Sequence, residues 1–193
     1  MTHDFFEKIY NHPALKKEDL AEIAGAHSKV KFAKNEFILK EGETSNAYYL
    51  IESGLIRSYV FDFNGKEITT DFCGSNQILI EVASLFLRTP SKEYIQAVTN
   101  GVAWKIEFNT FQQLFSSIEG FADWGRNWMS NQLFISKQRS INMLTQSATD
   151  RYLNLISEQP EILKHVPLKH IATFLGVTDT SLSRIRKEIS LGM

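Results

Sequence analysis

The stretch Leu168 to Ile189, LKHIATFLGVTDTSLSRIRKEI, decides how the C-terminal part of the chain folds. Apolar residues fall at Ile171, Leu175, Val177, Leu182 and Ile185. Ala172 is small where two helices must cross closely, and Gly176 sits where the chain must turn between them. This pattern predicts a helix-turn-helix, whose second helix can enter the major groove of DNA. A buried helical hairpin of another kind would need the apolar positions alone. It would have no use for the polar start Thr178-Asp179-Thr180-Ser181 or the basic run Arg184-Ile185-Arg186-Lys187.

Working outward, charge is distributed unevenly. From Ser136 to Met193 there are 8 Lys+Arg against 5 Asp+Glu, a net of +3. The remainder carries 13 against 17, a net of -4, so the whole chain is at -1. The basic excess therefore lies on the segment that holds the helix-turn-helix. It is modest, and tight binding to phosphates calls for two copies of the unit. Within that segment Thr178 is placed to cap the second helix, its hydroxyl accepting from the amide of Thr180 or Ser181. Asp179, Thr180, Ser183 and Arg184 fall on its exposed side, while Leu182 and Ile185 face inward. Thr178, Ser181 and Lys187 read as phosphate contacts, with Lys169 and His170 as further ones. Arg186 reads equally as a phosphate contact or a solvated charge.

Upstream, Ala148 to Gln159 is an amphipathic helix stopped by Pro160, with a short connection through Pro167. From Phe121 to about Thr145 a long helix is predicted. Phe121, Trp124, Trp128, Asn131/Gln132 and Ile135 recur on it at three- and four-residue steps, and Met129, Leu133, Ile141 and Leu144 extend the apolar surface to a second face. One face can pack on the preceding domain while another meets a partner, which predicts a dimer helix with Phe121, Trp124, Trp128 and Ile135 as its contacts.

Between Val30 and Phe108 the texture is different. Short β-branched and aromatic runs alternate with turn signals such as Glu41-Gly42-Glu43, Ser53-Gly54, Asn64-Gly65 and Asn100-Gly101. Turns this frequent predict an all-β barrel or jelly roll, and Asn64-Gly65 predicts a hairpin in which both residues accept positive φ. Short helices are expected from Phe5 to about Ser28 and from Phe111 to Gly120.

Composition narrows the function classes. At 193 residues, 43% hydrophobic and 22% charged, the chain can bury a real core. No apolar run approaches the roughly 20 residues of a membrane span, and the start lacks a secretory signal, so a cytoplasmic protein is expected. The single cysteine, Cys73, cannot form an intrachain disulfide or supply a thiolate cluster. Val30 to Phe108 contains no histidine, which argues against a metal-dependent enzyme built on the barrel. No nucleophile–base pair is visible in the spacing, so no catalytic residue and no metal site are assigned. His3, His12, His27, His165 and His170 are scattered over the helical parts and read as surface or capping residues.

Taken together, EGETSNAYYLIESGLIRSYVFDFNGKEITTDF with its turn glycines Gly42, Gly54 and Gly65, then DRYLNLI and IATFLGVTDTSLSRIRK, resemble the Crp/Fnr family of bacterial regulators. The resemblance covers nearly the whole chain. It implies an α+β fold: an N-terminal jelly-roll β-roll of the cyclic-nucleotide-binding type over residues 1–120, a dimerisation helix over 121–146 and a winged helix-turn-helix over 147–193. With Met193 so soon after the second helix, the hairpin wing that often follows it is expected to be missing or formed only from strands before the head. The family's phosphate cradle uses a Gly-Glu pair before a short helix and an Arg followed by Ser or Thr. Here Glu81 is retained, the preceding glycine is Ile80, and Ser91 and Lys92 stand at the Arg-Ser places, with Arg88 three residues too early. Cyclic AMP is therefore not expected as a cofactor, though Glu81, Ser91 and Lys92 mark the place of an effector pocket.

The resemblance puts Asp179, Thr180 and Arg184 at base-reading positions, Arg184 being suited to a bidentate contact with guanine. Where many relatives carry Arg and Glu, Asp179 and Thr180 imply a different half-site. The expected partners are double-stranded DNA with a near-palindromic site, a second copy of the chain, and RNA polymerase. The reading is a homodimeric, sequence-specific transcription regulator that does not respond to cyclic AMP. The alternative left open is a small-molecule sensor whose head binds a protein.

Overall fold

The computed structural model describes the backbone of residues 2–191 and the side chains of residues 4–191; the side chain of His3 thus lies outside the described residues. Two helices, α1 (Thr2–Ile9) and α2 (Lys17–Gly25), precede the β-rich part. The strands are β1 (Ser28–Phe32), β2 (Phe37–Leu39), β3 (Ala47–Ser53), β4 (Ile56–Phe61), β5 (Glu67–Cys73), β6 (Ile78–Leu79), β7 (Tyr94–Ala97) and β8 (Gly101–Glu107). Helix α3 (Val82–Leu87) interrupts them between β6 and β7. Then follow α4 (Phe108–Ser117), α5 (Glu119–Thr145), α6 (Ala148–Glu158), α7 (Pro160–His165), α8 (Leu168–Phe174) and α9 (Asp179–Leu191).

The strands form two four-stranded sheets, ordered β1-β8-β3-β6 and β2-β7-β4-β5, with antiparallel pairing throughout. The first sheet is covered on both faces. Ile51, Leu79 and Ala103 point between the sheets, toward Ile56, Ile95 and Ala97 of the second. Tyr48, Leu50 and Ile106 point the other way, into a second core built with α1, α2, α4 and α5. Double coverage explains why β3 reads as a nearly continuous apolar run, AYYLIES, and not as a strict alternation.

The hairpin predicted at Asn64-Gly65 joins β4 to β5, but its loop is longer than a two-residue turn. Only Gly65 has positive φ, +77°, and Asn64 does not. Asp62 organises the loop instead, its carboxylate accepting from the amides of Asn64 (2.8 Å) and Lys66 (2.9 Å). The connection expected between Pro160 and Pro167 is in fact α7. Pro160 stands at its start, where the missing N–H costs nothing, so the residue that ends α6 also begins the next helix.

The dimer contacts expected at Phe121 and Trp124 are corrected by the packing. Both are buried inside this chain: Phe121 stacks on Trp124, Tyr10 meets both rings, and the Trp124 indole donates to the Ile9 carbonyl at 3.1 Å. Trp128 stacks on Trp124 and packs against the same core. Ile135 is half exposed and lines a cleft between α5, β5 and the C-terminal helices. An apolar stripe identifies a buried face without saying which neighbour buries it, and here the neighbour is the chain's own β-roll.

Tyr10 also carries a buried polar chain. The His27 Nδ1–H donates to the Ile23 carbonyl (2.7 Å), so Nε2 must accept from the Tyr10 hydroxyl (3.0 Å). Tyr10 has one proton to give, and the Tyr48 hydroxyl therefore donates to it (2.7 Å). His27 is thus a buried C-terminal cap of α2, which ties the N-terminal helices to β3. Tyr10→Phe is expected to lower unfolding free energy by about 1–3 kcal/mol, because Tyr48 and His27 keep their burial and lose their partner. A urea-denaturation difference within error of zero would remove this network from the stability of the fold.

Candidate nucleic-acid interface and effector pocket

Helices α8 and α9 form the predicted helix-turn-helix. Ile171, Ala172, Leu175, Leu182 and Ile185 are buried between them and α6–α7, in one core with Tyr152, Leu155 and Ile162. The turn depends on Gly176, at φ +68°, a conformation that costs an L side chain about 1–2 kcal/mol. Its amide donates to Thr173 (3.1 Å) and that of Val177 to Ala172 (2.9 Å), closing α8. Thr178 caps α9 as expected: its hydroxyl accepts from the Ser181 amide at 3.2 Å and lies 2.9 Å from the Ser181 hydroxyl.

Asp179, Thr180, Ser183, Arg184, Arg186 and Lys187 are exposed on α9, as are Thr178 just before it and Lys169 on α8; Ser181 is partly covered. The structure therefore brings the four residues assigned to base reading onto one accessible helix. His170 is different. Its side chain is only 16% exposed, and its Nδ1 accepts from the Arg57 guanidinium of β4. Burial first, then the positive charges of Arg57 and Lys169, lowers its pKa to about 4. A neutral, mostly covered ring turned toward Arg57 brings no positive charge to a phosphate, which corrects the assignment of His170.

The same contact shows what the sequence reading missed. Arg57 is 3% exposed and is held by Glu67 of β5 at 2.5 Å, with its guanidinium 4.1 Å from the centre of the Tyr59 ring. Helix α8 lies against β5 at this point. The Thr69 amide donates to the Thr173 hydroxyl (3.2 Å), and Phe72 packs on Phe174 with ring centres 5.0 Å apart. From α5, Arg139 donates to the carbonyls of Thr70 and Phe174 and lies 3.9 Å over the Phe174 ring. Arg151 of α6 donates to the Leu175 carbonyl at 2.9 Å. Leu55 and Phe72 of the β-roll consequently share a core with the helix-turn-helix. A single Arg among Leu55, Ile56, Tyr59 and Val60 was the available signal, since a cation inside a strand's apolar run calls for a partner.

In the β-roll a cavity of about 250 Å³ stands where the resemblance puts an effector, bordered by Leu39, Glu43, Tyr49, Ile80, Glu81 and Lys105 among others. Its charged groups are already engaged. The Glu81 carboxylate caps α3 by accepting from the Ser84 amide. Lys105 pairs with Glu107 at 2.5 Å, and Glu43 accepts from the Lys40 amide at 2.8 Å. Ser91 is buried, its hydroxyl donating to the Glu93 carbonyl and accepting from the Glu93 amide, each at 3.0 Å. Lys92 is exposed, and Arg88 turns to the Ser45 carbonyl (2.7 Å) and Asn46. Of the three expected pocket residues, only Glu81 borders the cavity. Among the described residues no group of three or more His, Cys, Asp or Glu is arranged to hold a metal ion. No helix among them is long and apolar enough to cross a membrane.

Residues 29–117 match the family described as the cyclic nucleotide-binding domain. The chain is similar to the cAMP-dependent protein kinase type II regulatory subunit of Drosophila melanogaster, 29% identical over 101 residues (52% of this chain and 25% of that protein). It is similar also to a cGMP-dependent protein kinase of Plasmodium berghei, 28% identical over 123 residues (64% and 13%). The matched regions span a quarter or less of those two proteins. Among solved structures, the fold is similar to the c-di-GMP-responsive global regulator CLP of Xanthomonas campestris (TM-score 0.71, 16% identity, 92% of this chain and 93% of that one). It is similar likewise to FixK2 of Bradyrhizobium japonicum (0.74, 15%, 86% and 85%) and to the Thermus thermophilus catabolite activator protein (0.60, 15%, 95% and 87%). These likenesses extend the fold beyond the β-roll, through α5 and the C-terminal helices.

His170 and His27 both titrate near pH 4 in the folded chain, against an ordinary 6.5. The unfolded chain takes up these protons first as pH falls. Their contribution to stability is complete above about pH 6.5 and is lost progressively toward pH 4. Melting temperature is expected to fall over that window, and His170→Gln to make the fall shallower without abolishing it, since His27 keeps its share. An identical pH profile for His170→Gln would contradict a buried neutral ring at this contact.

Proposed function

We propose that the chain is a homodimeric, sequence-specific DNA-binding transcription regulator of the Crp/Fnr type, working without cyclic AMP. The observation that carries the reading is α9: a capped helix whose buried side is fixed by Leu182 and Ile185 and whose exposed side bears Asp179, Thr180, Ser183 and Arg184. Arg184 is assigned to guanine, and Thr178, Ser181, Lys187, Lys169 and Arg186 to phosphates. The independence from cyclic AMP is supported by a cavity whose Glu81 carboxylate is taken up by the cap of α3 and whose lysine is paired.

Dimerisation is assigned to the face of α5 that the β-roll leaves open. Leu133 (73% exposed), Phe134 (67%) and Leu144 (88%) lie there with Ile141. Phe134, Ile141 and Leu144 are separated by seven and three residues, the spacing of a two-helix seam, and Lys137 completes it as a polar position that fixes register. Two recognition helices on such a dimer would read half-sites about 34 Å apart on a near-palindromic site.

Selection of bound fragments from genomic DNA by the purified protein tests the reading. It is expected to return a palindromic motif; enrichment of no motif would shift the head to a protein partner. Arg184→Ala is expected to cost about 1–3 kcal/mol on the selected site and to relax one base position. Equal weakening on every sequence would demote Arg184 to a phosphate contact. Phe134→Asp is expected to sediment as a monomer with its melting temperature little changed, and a variant that remains dimeric would exclude this seam.

A further inference from the structure

A second cavity, of about 460 Å³, opens between α3, α4 and α5 on the side of the first sheet away from the effector pocket. Its wall is aromatic: Tyr48, Phe86, Phe111, Phe115, Trp124 and Trp128. Ile80 borders both this cavity and the effector pocket. The polar groups that line it are few. Gln112, Arg126 and Ser130 belong to it, and Arg126 is already paired with Asp123 one turn away.

We propose that this cavity is a binding site for an uncharged, largely hydrocarbon small molecule of two or three rings, separate from the site of the cyclic-nucleotide type. Three observations carry the assignment. The first is size, since a dry cavity of roughly 150 Å³ accommodates benzene, and this one has about three times that volume. The second is chemistry: ring faces and edges from six side chains offer offset and edge-to-face contacts to another ring system. An anionic group would lose its water for a guanidinium that Asp123 already holds. The third is depth. Tyr48, Phe111 and Trp124 are buried, so the floor lies inside the domain, while the rim at Phe86 and Met129 is open to solvent and the seam residues Phe134, Ile141 and Leu144 do not line the cavity. A pocket of this volume, mostly apolar with a few polar groups, has the dimensions of small-molecule sites.

The position gives the ligand a route to the rest of the molecule. Trp124, Gly125, Trp128 and Met129 belong to α5, which also carries Arg139 and its contacts to the C-terminal helices. An added Cβ at Gly125 would lie 2.6 Å from the Phe115 ring, so α4 and α5 touch without slack at this point. Filling the cavity therefore acts on the helix that links the β-roll to the head.

The test uses the full chain and N-phenyl-1-naphthylamine, an uncharged three-ring probe that becomes emissive on leaving water. Saturable binding with loss of tryptophan emission is expected, because Trp124 and Trp128 line the cavity. Binding should persist in Phe134→Asp, whose change lies outside the cavity. It should weaken roughly tenfold in Ser130→Trp and in Gln112→Trp, two rim substitutions that fill the mouth. Leu133→Trp, also outside the cavity, should bind as the parent does, which guards against a general effect of added indole. Absence of saturable binding in both the parent and Phe134→Asp would overturn the proposal. Binding to Phe134→Asp alone would also overturn it, by assigning the cavity to a second copy of the chain. Displacement of the probe by decanoate at matched concentration would replace the ring class with an acyl carboxylate. None of these readouts uses DNA, so they stand apart from the fate of the DNA-binding reading.

Discussion

A guanidinium that is 3% exposed must find its partners inside the protein, and Arg57 finds them on two different structural units. Glu67 comes from the neighbouring strand, and the neutral ring of His170 comes from the first helix of the helix-turn-helix, 113 residues away. An isolated buried cation would cost several kcal/mol, so the β-roll and the head satisfy it jointly and neither can move off without exposing it. The surrounding contacts follow the same line. Thr69 meets Thr173, Phe72 meets Phe174, and Arg139 reaches from α5 to both sides. The head is held by its first helix, and the second helix, which carries Arg184, is left facing outward.

Much of this was legible in the chain before any coordinates. The turn at Gly176, the cap at Thr178 and the inward positions Ile171, Leu175, Leu182 and Ile185 are local properties, fixed by residues within one or two helical turns. The strand runs were legible for the same reason, since frequent turn residues bound them. The errors lie where the answer depends on residues far apart in sequence. Phe121 and Trp124 form an apolar stripe that fits a partner helix and fits Tyr10 equally well, and only the fold decides between them. His170 has the sequence context of a phosphate contact, and Arg57 removes it from that role. The Ile80 and Lys92 departures were visible in the sequence, whereas the occupation of the Ser84 amide by Glu81 required the helix to be seen.

The two cavities of the β-roll divide along chemical lines. One is bordered by carboxylates and a paired lysine, and its Glu81 carboxylate is engaged by the Ser84 amide. The other is walled by rings and almost free of polar groups, and it sits against the helix that connects to the head. Within this fold, Glu81 and Ser91, two of the residues that the resemblance places at the effector site, are engaged in internal contacts.

The affinity of the purified protein for its selected DNA site, titrated with and without saturating cyclic AMP at one fixed salt concentration, tests this account most directly. The account predicts the same dissociation constant in both titrations. A site bound roughly tenfold more tightly with the nucleotide would show that Glu81 can be released to rebuild the cradle, and would contradict it.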